Sequence, residues 1–280
     1  MLCIDNIEEL REQIHQWRGQ GQEIALVPTM GNLHTGHISL VEKAKQVADQ
    51  VVVSIFVNPT QFVDGEDYEN YPRTLAADLS QLESVAVDLV FNPRLDEIYP
   101  EGSNEQTLVT IPYLENILCG EFRPGHFAGV ALVVTKLLNI VEPDFAVFGE
   151  KDFQQLLVIK YLVRDLCLPV KILSGPTIRE DDGLAISSRN SYLSTQERKI
   201  APLMYKILLG IESSINDGDH DFQILETRAF NELNQSGFRT DYLKIRDAGN
   251  LGEPKNGDLV ILVAAWLGKA RLIDNIIIRR

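Results

Sequence analysis

Two imidazoles stand three positions apart in Pro28-Thr29-Met30-Gly31-Asn32-Leu33-His34-Thr35-Gly36-His37. The stretch lies between a short apolar strand pattern over residues 23–27 and a helical pattern over 37–48, with Ile38, Val41, Ala44, Val47 and Ala48 at helical spacing. In a parallel sheet, the end of a strand that leads into a helix is where ligands collect. Gly31 and Gly36 let the backbone come close to a ligand, and the opening turn of a helix presents unpaired N–H groups and a positive dipole end. An imidazole there could steady negative charge gathering on a transferring phosphoryl group. The competing reading is that His34 and His37 only cap or pack the helix start. One histidine alone favours that reading, whereas two in one glycine-bearing turn favour function.

Positioning such a turn needs a sheet. After the first strand and helix comes the β-branched run of residues 51–57, typical of a strand buried on both faces. Strand, helix, strand within about 35 residues is the βαβ unit of a parallel sheet. Residues 87–91, 145–148 and 170–173 read as further strands, and 74–85, 127–140 and 152–165 as helices between them. The pattern predicts an α/β fold, a Rossmann-like doubly wound parallel sheet. The texture changes at Gly175-Pro176. Beyond it come the turn Asp181-Asp182-Gly183, a long helix over 195–215, another over 221–235, and strands over 241–246, 258–266 and 270–278. The expected division is a Rossmann-like domain over 1–176 and a smaller α+β domain over 177–280.

The chain has 280 residues, 26 Lys+Arg and 40 Asp+Glu, a formal net charge of −14, with 45% apolar and 24% charged residues. This is a globular mixture with enough apolar material for a packed core. Its acidity argues against nucleic-acid and anionic-membrane partners, which need broad cationic surfaces. It leaves room for anionic small molecules held by a few focused cations. Cys3, Cys119 and Cys167 form no C-x-x-C pair and read as buried thiols of a reducing compartment. Asp5, Glu8 and Glu9 are unlike a signal peptide, and the longest apolar run, residues 259–267, is far below the ~20 residues of a membrane helix. A cytoplasmic protein is the expectation.

Several motifs are absent: the G-x-x-x-x-G-K-[ST] phosphate loop, G-x-G-x-x-G after the first strand, H-E-x-x-H and G-x-S-x-G. Asp217-Gly218-Asp219-His220-Asp221 imitates a calcium loop, but Phe222 stands where glycine is required and Arg228 where glutamate is required. It reads as a solvated acidic turn.

His34-Thr35-Gly36-His37 resembles the H-x-G-H signature of the nucleotidyltransferase superfamily. The wider stretch from Pro28 narrows the resemblance to the pantoate–β-alanine ligase family. Further segments resemble that family in order: Phe56-Val57-Asn58-Pro59-Thr60-Gln61-Phe62, Tyr71-Pro72-Arg73-Thr74, Arg123-Pro124-Gly125-His126-Phe127, and Phe148-Gly149-Glu150-Lys151-Asp152-Phe153-Gln154-Gln155-Leu156. Ile186-Ser187-Ser188-Arg189-Asn190, Ala264-Ala265-Trp266-Leu267-Gly268 and Arg271-Leu272-Ile273-Asp274-Asn275 follow, so the likeness covers nearly the whole chain.

The resemblance implies a two-step reaction. Pantoate's carboxylate attacks the α-phosphorus of ATP and releases pyrophosphate. The amine of β-alanine then attacks the activated carbonyl and releases AMP. The protein must orient reactants, neutralise phosphate charge and keep water from the adenylate. By the same resemblance Met30, Gly31, Asn32, Leu33, His34, Thr35, Gly36 and His37 hold ATP, with His34 and His37 the catalytic pair. Gly149, Glu150, Lys151 and Asp152 form a second strand-to-helix crevice, with Lys151 a point charge for phosphate. Ile178 matches an adenine contact, and Ile186, Ser187, Ser188 and Arg189 a phosphate-binding loop. Gln61 and Gln155 resemble the two pantoate-binding glutamines, and Gln61 also lies near the β-alanine position. An amide suits a hydroxy acid, because it both donates and accepts. Asn58 is a weaker candidate for a pantoate or phosphate contact, and Thr60 stands where the family usually has methionine. Mg²⁺ is implied by ATP, and Asp78 matches a carboxylate near the metal in some relatives, with the metal ligands unassigned. The smaller domain is expected to act as a lid, and the family to form homodimers, through apolar strands near 51–57 or 105–111.

Two rivals differ in class. One is another nucleotidyltransferase or a tRNA synthetase, though the latter should carry anticodon-binding mass and basic surface. The other is a non-catalytic nucleotide sensor, which should have lost His37, Gln61 or Lys151. All three are present.

Overall fold

The computed structural model describes residues 1–103 and 106–280. Contacts divide the chain into two compact units, one of residues 1–150 and 158–176, the other of 151–157 and 177–280.

The first unit is built on β1 (Leu2–Ile4), β2 (Ile24–Thr29), β3 (Gln50–Ile55) and β4 (Leu89–Phe91), joined by α1 (Ile7–Gly19), α2 (Thr35–Lys45) and α3 (Leu75–Ser84). The short helices α4 (Leu95–Ile98), α5 (Pro112–Glu115) and α6 (Cys119–Phe122) lead into α7 (His126–Val141), β5 (Phe145–Gly149), α8 (Phe153–Asp165) and β6 (Lys171–Gly175). All six strands are parallel, in the order β1-β4-β3-β2-β5-β6. The chain leaves β2 toward β3 on one side and later returns to β5 on the other. The strand order therefore reverses between β2 and β5, and the crevice outside their carboxyl ends is the ligand position of such sheets.

Ile24 to Val27 and Val51 to Val53 are buried on both faces, as their unbroken apolar runs require. Ala25, Val27, Val51 and Val53 share one face with Leu40, Val41 and Ala44 of α2. Each large apolar side chain so buried contributes roughly 1.5–3 kcal/mol. This packing holds the start of α2 against the sheet end.

In the second unit α9 (Thr195–Ile200), α10 (Leu203–Asn216) and α11 (Phe222–Gln235) precede β7 (Arg239–Asp247), β8 (Leu259–Leu267) and β9 (Ala270–Ile278). The three strands form an antiparallel sheet in that order, with a bulge between Thr240 and Tyr242. Leu259, Ile261, Val263 and Ala265 alternate onto one face of β8. There they join a core with Leu208, Ile211, Leu225, Ala229 and Leu233 of α10 and α11.

The expected fold class is borne out, and several particulars differ. The sequence pattern assigns no element before residue 23, where the structure has β1 and α1. The single helix expected over 195–215 is two, because Pro202 has no N–H to continue the ladder and instead starts α10. Only Cys119 is buried; Cys3 lies on an edge strand and Cys167 in the turn after α8, and both are exposed. Residues 51–56 are buried inside the sheet, with β3 paired on both sides, so they are not an interface strand. Of the other interface stretch, Glu105 lies outside the described residues, and 106–110 form no strand. In the acidic segment Asp221 accepts from Ile224 N at 3.1 Å and caps α11.

Candidate active site

The turn from β2 to α2 is pinned from below. Thr29 Oγ1 donates to the Ser54 carbonyl at 2.8 Å and accepts from Gly31 N at 3.2 Å. Gly31 and Asn32 then take φ of 78° and 50°, the left-handed region that glycine and asparagine tolerate best. This bend aims two consecutive N–H groups at one carboxylate: Asp78 on α3 accepts from Asn32 N at 3.0 Å and Leu33 N at 2.8 Å. Thr74 Oγ1 donates to it at 3.2 Å. A Cβ on Gly31 would lie 3.1 Å from both Asp78 Oδ2 and Ile55 Cγ2, so a side chain there would crowd the anchor as well as strain the left-handed backbone. Asp78 is 1% exposed, and both its oxygens are engaged. The sequence match that set it beside a metal is not supported by this geometry: it anchors the turn.

His34 opens α2 as its N-cap residue, and the rings of His34 and His37 stack with centroids 4.0 Å apart. His34 N donates to His37 Nδ1 at 3.4 Å. An imidazole that accepts at Nδ1 carries its own N–H on Nε2. The two readings of this pair are therefore compatible, since the capping contact sets the tautomer that a hydrogen-bond donor needs.

The loop after β3 places Gln61. Asn58 caps the 3₁₀ turn Pro59–Gln61, and its Nδ2 donates to Gln61 Oε1 at 3.1 Å and to the Gly129 carbonyl at 3.2 Å. Asn58 Oδ1 accepts from Tyr99 OH at 2.8 Å and Thr60 Oγ1 at 3.0 Å. Asn58 is thus bonded inside the protein, where it orients Gln61. Gln61 Nε2 donates to Met30 Sδ at 2.9 Å, which ties this loop to the β2–α2 turn. Of the four hydrogen-bonding positions of the Gln61 amide, one N–H and one lone pair remain, the pair of functions a hydroxy acid requires. Burial pushes the Tyr99 phenol above its ordinary pKa, against a smaller opposing effect of its hydrogen bond with Thr60. Tyr99 therefore stays a donor to Asn58.

Gly149 ends β5 opposite Gly175 of β6, and Glu150 Oε1 accepts from Ser174 Oγ at 2.7 Å. Lys43 of α2 donates to the Ser174 carbonyl. Met30 to His37, Gln61, Gly149 and Glu150 all belong to the first unit, at the carboxyl ends of β2, β3 and β5.

The other predicted residues belong to the second unit. Lys151 Nζ lies 3.7 Å from Asp152 Oδ2, a long pair whose side chains are 19% and 45% exposed and which is worth little by itself. The Lys151 carbonyl accepts from Asn275 Nδ2 at 2.9 Å, and Gln155 lies in the first turn of α8. Ile186 N donates to the Ile178 carbonyl at 2.9 Å, next to the antiparallel bridge of Arg179 with Ala185. Ile178 therefore meets Ile186, and Ser187, Ser188 and Arg189 follow at once. Ser187 Oγ accepts from Arg189 N at 3.3 Å and caps the 3₁₀ turn Ser188–Tyr192. Arg179 grips Asp274 with bonds of 2.6 and 2.8 Å and lies over the Tyr205 ring, which braces this hairpin on β9.

Sequence reasoning assigned no role to Thr74, Tyr99, Glu66, Arg123 or His126. Its available signal was the Arg123-Pro124-Gly125-His126 segment: an imidazole at the head of the almost wholly apolar α7 needs polar company.

The fold and this turn define a class: an α/β enzyme with an H-x-G-H turn at the switch point of a parallel sheet, of the nucleotidyltransferase kind. The family described as Pantoate-beta-alanine ligase matches residues 2–277. The pantothenate synthetase of Azotobacter vinelandii is 54% identical over 278 residues, covering 99% of this chain and 98% of that protein. A crystal structure of pantothenate synthetase from Thermus thermophilus superposes with a TM-score of 0.91 at 43% identity, over 99% of both chains. The pantoate-beta-alanine ligase of Francisella tularensis, solved in complex with beta-gamma ATP and beta-alanine, gives 0.80 at 40% identity over 99% and 97% of the chains. The chain belongs to the pantoate–β-alanine ligase family.

Proposed function

We propose that the chain is an ATP-dependent ligase that joins pantoate to β-alanine, with the chemistry at the β2–α2 turn. A pantoate carboxylate oxygen attacks the α-phosphorus, the bond to the β-phosphate bridge breaks, and pyrophosphate leaves. The β-alanine amine then attacks the acyl carbon and loses a proton, and AMP leaves with the electron pair of the broken C–O bond. The observation that carries this reading is the anchored turn itself, with stacked His34 and His37 at the head of α2, beside Gln61 through Met30.

His37 donates its Nε2 proton as a hydrogen bond to the α-phosphate, where charge builds, and His34 flanks it. Residues 30–37 cradle the nucleotide with main-chain N–H groups. Gln61 and Gln155 hold pantoate, and Gln61 also borders the β-alanine position. Gly149, Glu150 and Lys151 line the phosphate side and Asp152 caps the helix or meets the ribose, with the loop Ile186, Ser187, Ser188 and Arg189 on the outer phosphates and Ile178 against the adenine. Residues 177–280 act as the lid domain. Two copies pair as a homodimer in the cytoplasm.

A resident metal does not fit. Among the described residues no group of three His, Cys, Asp or Glu side chains could hold one, and the Asp78 oxygens are taken. Mg²⁺ therefore enters as part of the ATP substrate, held by phosphates and water.

The test is incubation with ATP and pantoate, with and without β-alanine. Pantoate-dependent exchange of pyrophosphate into ATP is expected without β-alanine, and sustained AMP release only with it. AMP release that needs neither acid would overturn the reading.

A further inference from the structure

We propose that His126, clamped by the Arg123–Glu66 ion pair, is a positioning residue for Gln61 and through it for pantoate; this rests on the ligase reading above. His126 Nε2 lies 2.8 Å from Arg123 Nη1. A guanidinium only donates, so Nε2 accepts and the ring carries its proton on Nδ1. Nδ1 stands 2.6 Å from the Gln61 carbonyl oxygen and donates to it. Arg123 Nη2 reaches the same oxygen at 3.3 Å.

Arg123 is itself held in place. Its Nε and Nη2 grip the two Glu66 oxygens at 2.5 and 2.7 Å, and the side chains are only 13% and 12% exposed. Glu66 Oε2 also accepts from Val63 N at 3.2 Å, which closes the loop back on itself. The main chain of Gln61 is therefore fixed by His126 and Arg123, while its side chain is fixed separately by Asn58 and Met30. With both held, the remaining amide N–H and lone pair have one orientation.

The choice of residues supports a positional role. Burying an ion pair and an imidazole gains little stability over apolar groups of the same shape. Directional bonds to one carbonyl supply what apolar packing cannot, a defined angle. One turn further along α7, Gly129 has no side chain, and a Cβ there would overlap the Thr60 carbonyl. The helix thus sits directly on the loop it orients.

The experiment compares His126→Ala, His126→Asn and Glu66→Gln by steady-state kinetics in pantoate and ATP, with melting curves alongside. Asparagine keeps an N–H close to the place of Nδ1. For His126→Ala, KM for pantoate should rise about tenfold, the factor one lost orienting bond explains, with KM for ATP within about twofold. His126→Asn should recover most of that rise. Glu66→Gln, which keeps shape while loosening the clamp, should raise KM for pantoate severalfold and decides the matter if the alanine variant does not fold. An unchanged pantoate KM in the folded variants, or equal rises for pantoate and ATP, would overturn the proposal. Wild-type protein without pantoate-dependent pyrophosphate exchange would instead remove the ligase reading itself.

Discussion

The turn after β2 and the loop after β3 leave neighbouring parallel strands at the same sheet edge, yet they are held by opposite chemistry. The first is fixed by a buried carboxylate, Asp78, that accepts main-chain N–H groups. The second is fixed by cationic and imidazole donors, Arg123 and His126, that bind a main-chain carbonyl. The difference follows from what each segment exposes. A bend through left-handed conformations at Gly31 and Asn32 turns N–H groups inward, where only an acceptor satisfies them. The 3₁₀ turn at Gln61 turns a carbonyl inward, where only a donor does. In both, the main chain is held by a side chain distant in sequence.

The comparison can be broken at several points. The largest effect is expected for His37→Ala: turnover falls by about 10²–10³, the scale of one lost donor at a developing oxyanion, with the melt nearly unchanged. Near-normal turnover in the folded variant would remove His37 from the chemistry. Next comes Asp78→Asn, which keeps size but turns an N–H toward main-chain donors. A stability loss of about 1–3 kcal/mol is expected in denaturant melts, with KM for ATP rising more than KM for pantoate. The reverse order would mean that the carboxylate serves the β3 loop instead.

Gly129→Ala should act on the opposite side. Overpacking against Thr60 should cost about 1–3 kcal/mol and raise KM for pantoate selectively. Gln61→Ala should weaken pantoate saturation with ATP saturation unaltered, and an equal loss of both would contradict the assignment. The smallest effect is expected for Tyr99→Phe. Losing one donor to Asn58 should cost about 1 kcal/mol in a melt, with a change in pantoate KM smaller than that of Gln61→Ala.

Much of the sheet was legible because strands buried on both faces read as unbroken β-branched runs, as at residues 51–53. β1 was not, since a three-residue edge strand carries no periodicity. Helix 195–215 was misread because apolar spacing continues across Pro202, although its backbone cannot. The family resemblance sets Asn58 near pantoate or phosphate and Asp78 near a metal. Their bonds to Tyr99, Asn32 and Leu33 span 41 to 46 residues, separations that no local pattern encodes.

The sequence by itself determined the class of fold, the family and the residue types of the β2–α2 turn, because periodicity, glycine placement and side-chain type are local properties of a chain. Only the tertiary structure decided which polar groups hold the frame of the turn and the loop. That depends on where each donor and acceptor finds its partner, and folding alone brings Asp78 to Asn32 and Leu33, Asn58 to Tyr99 and Gly129, and His126 to Gln61.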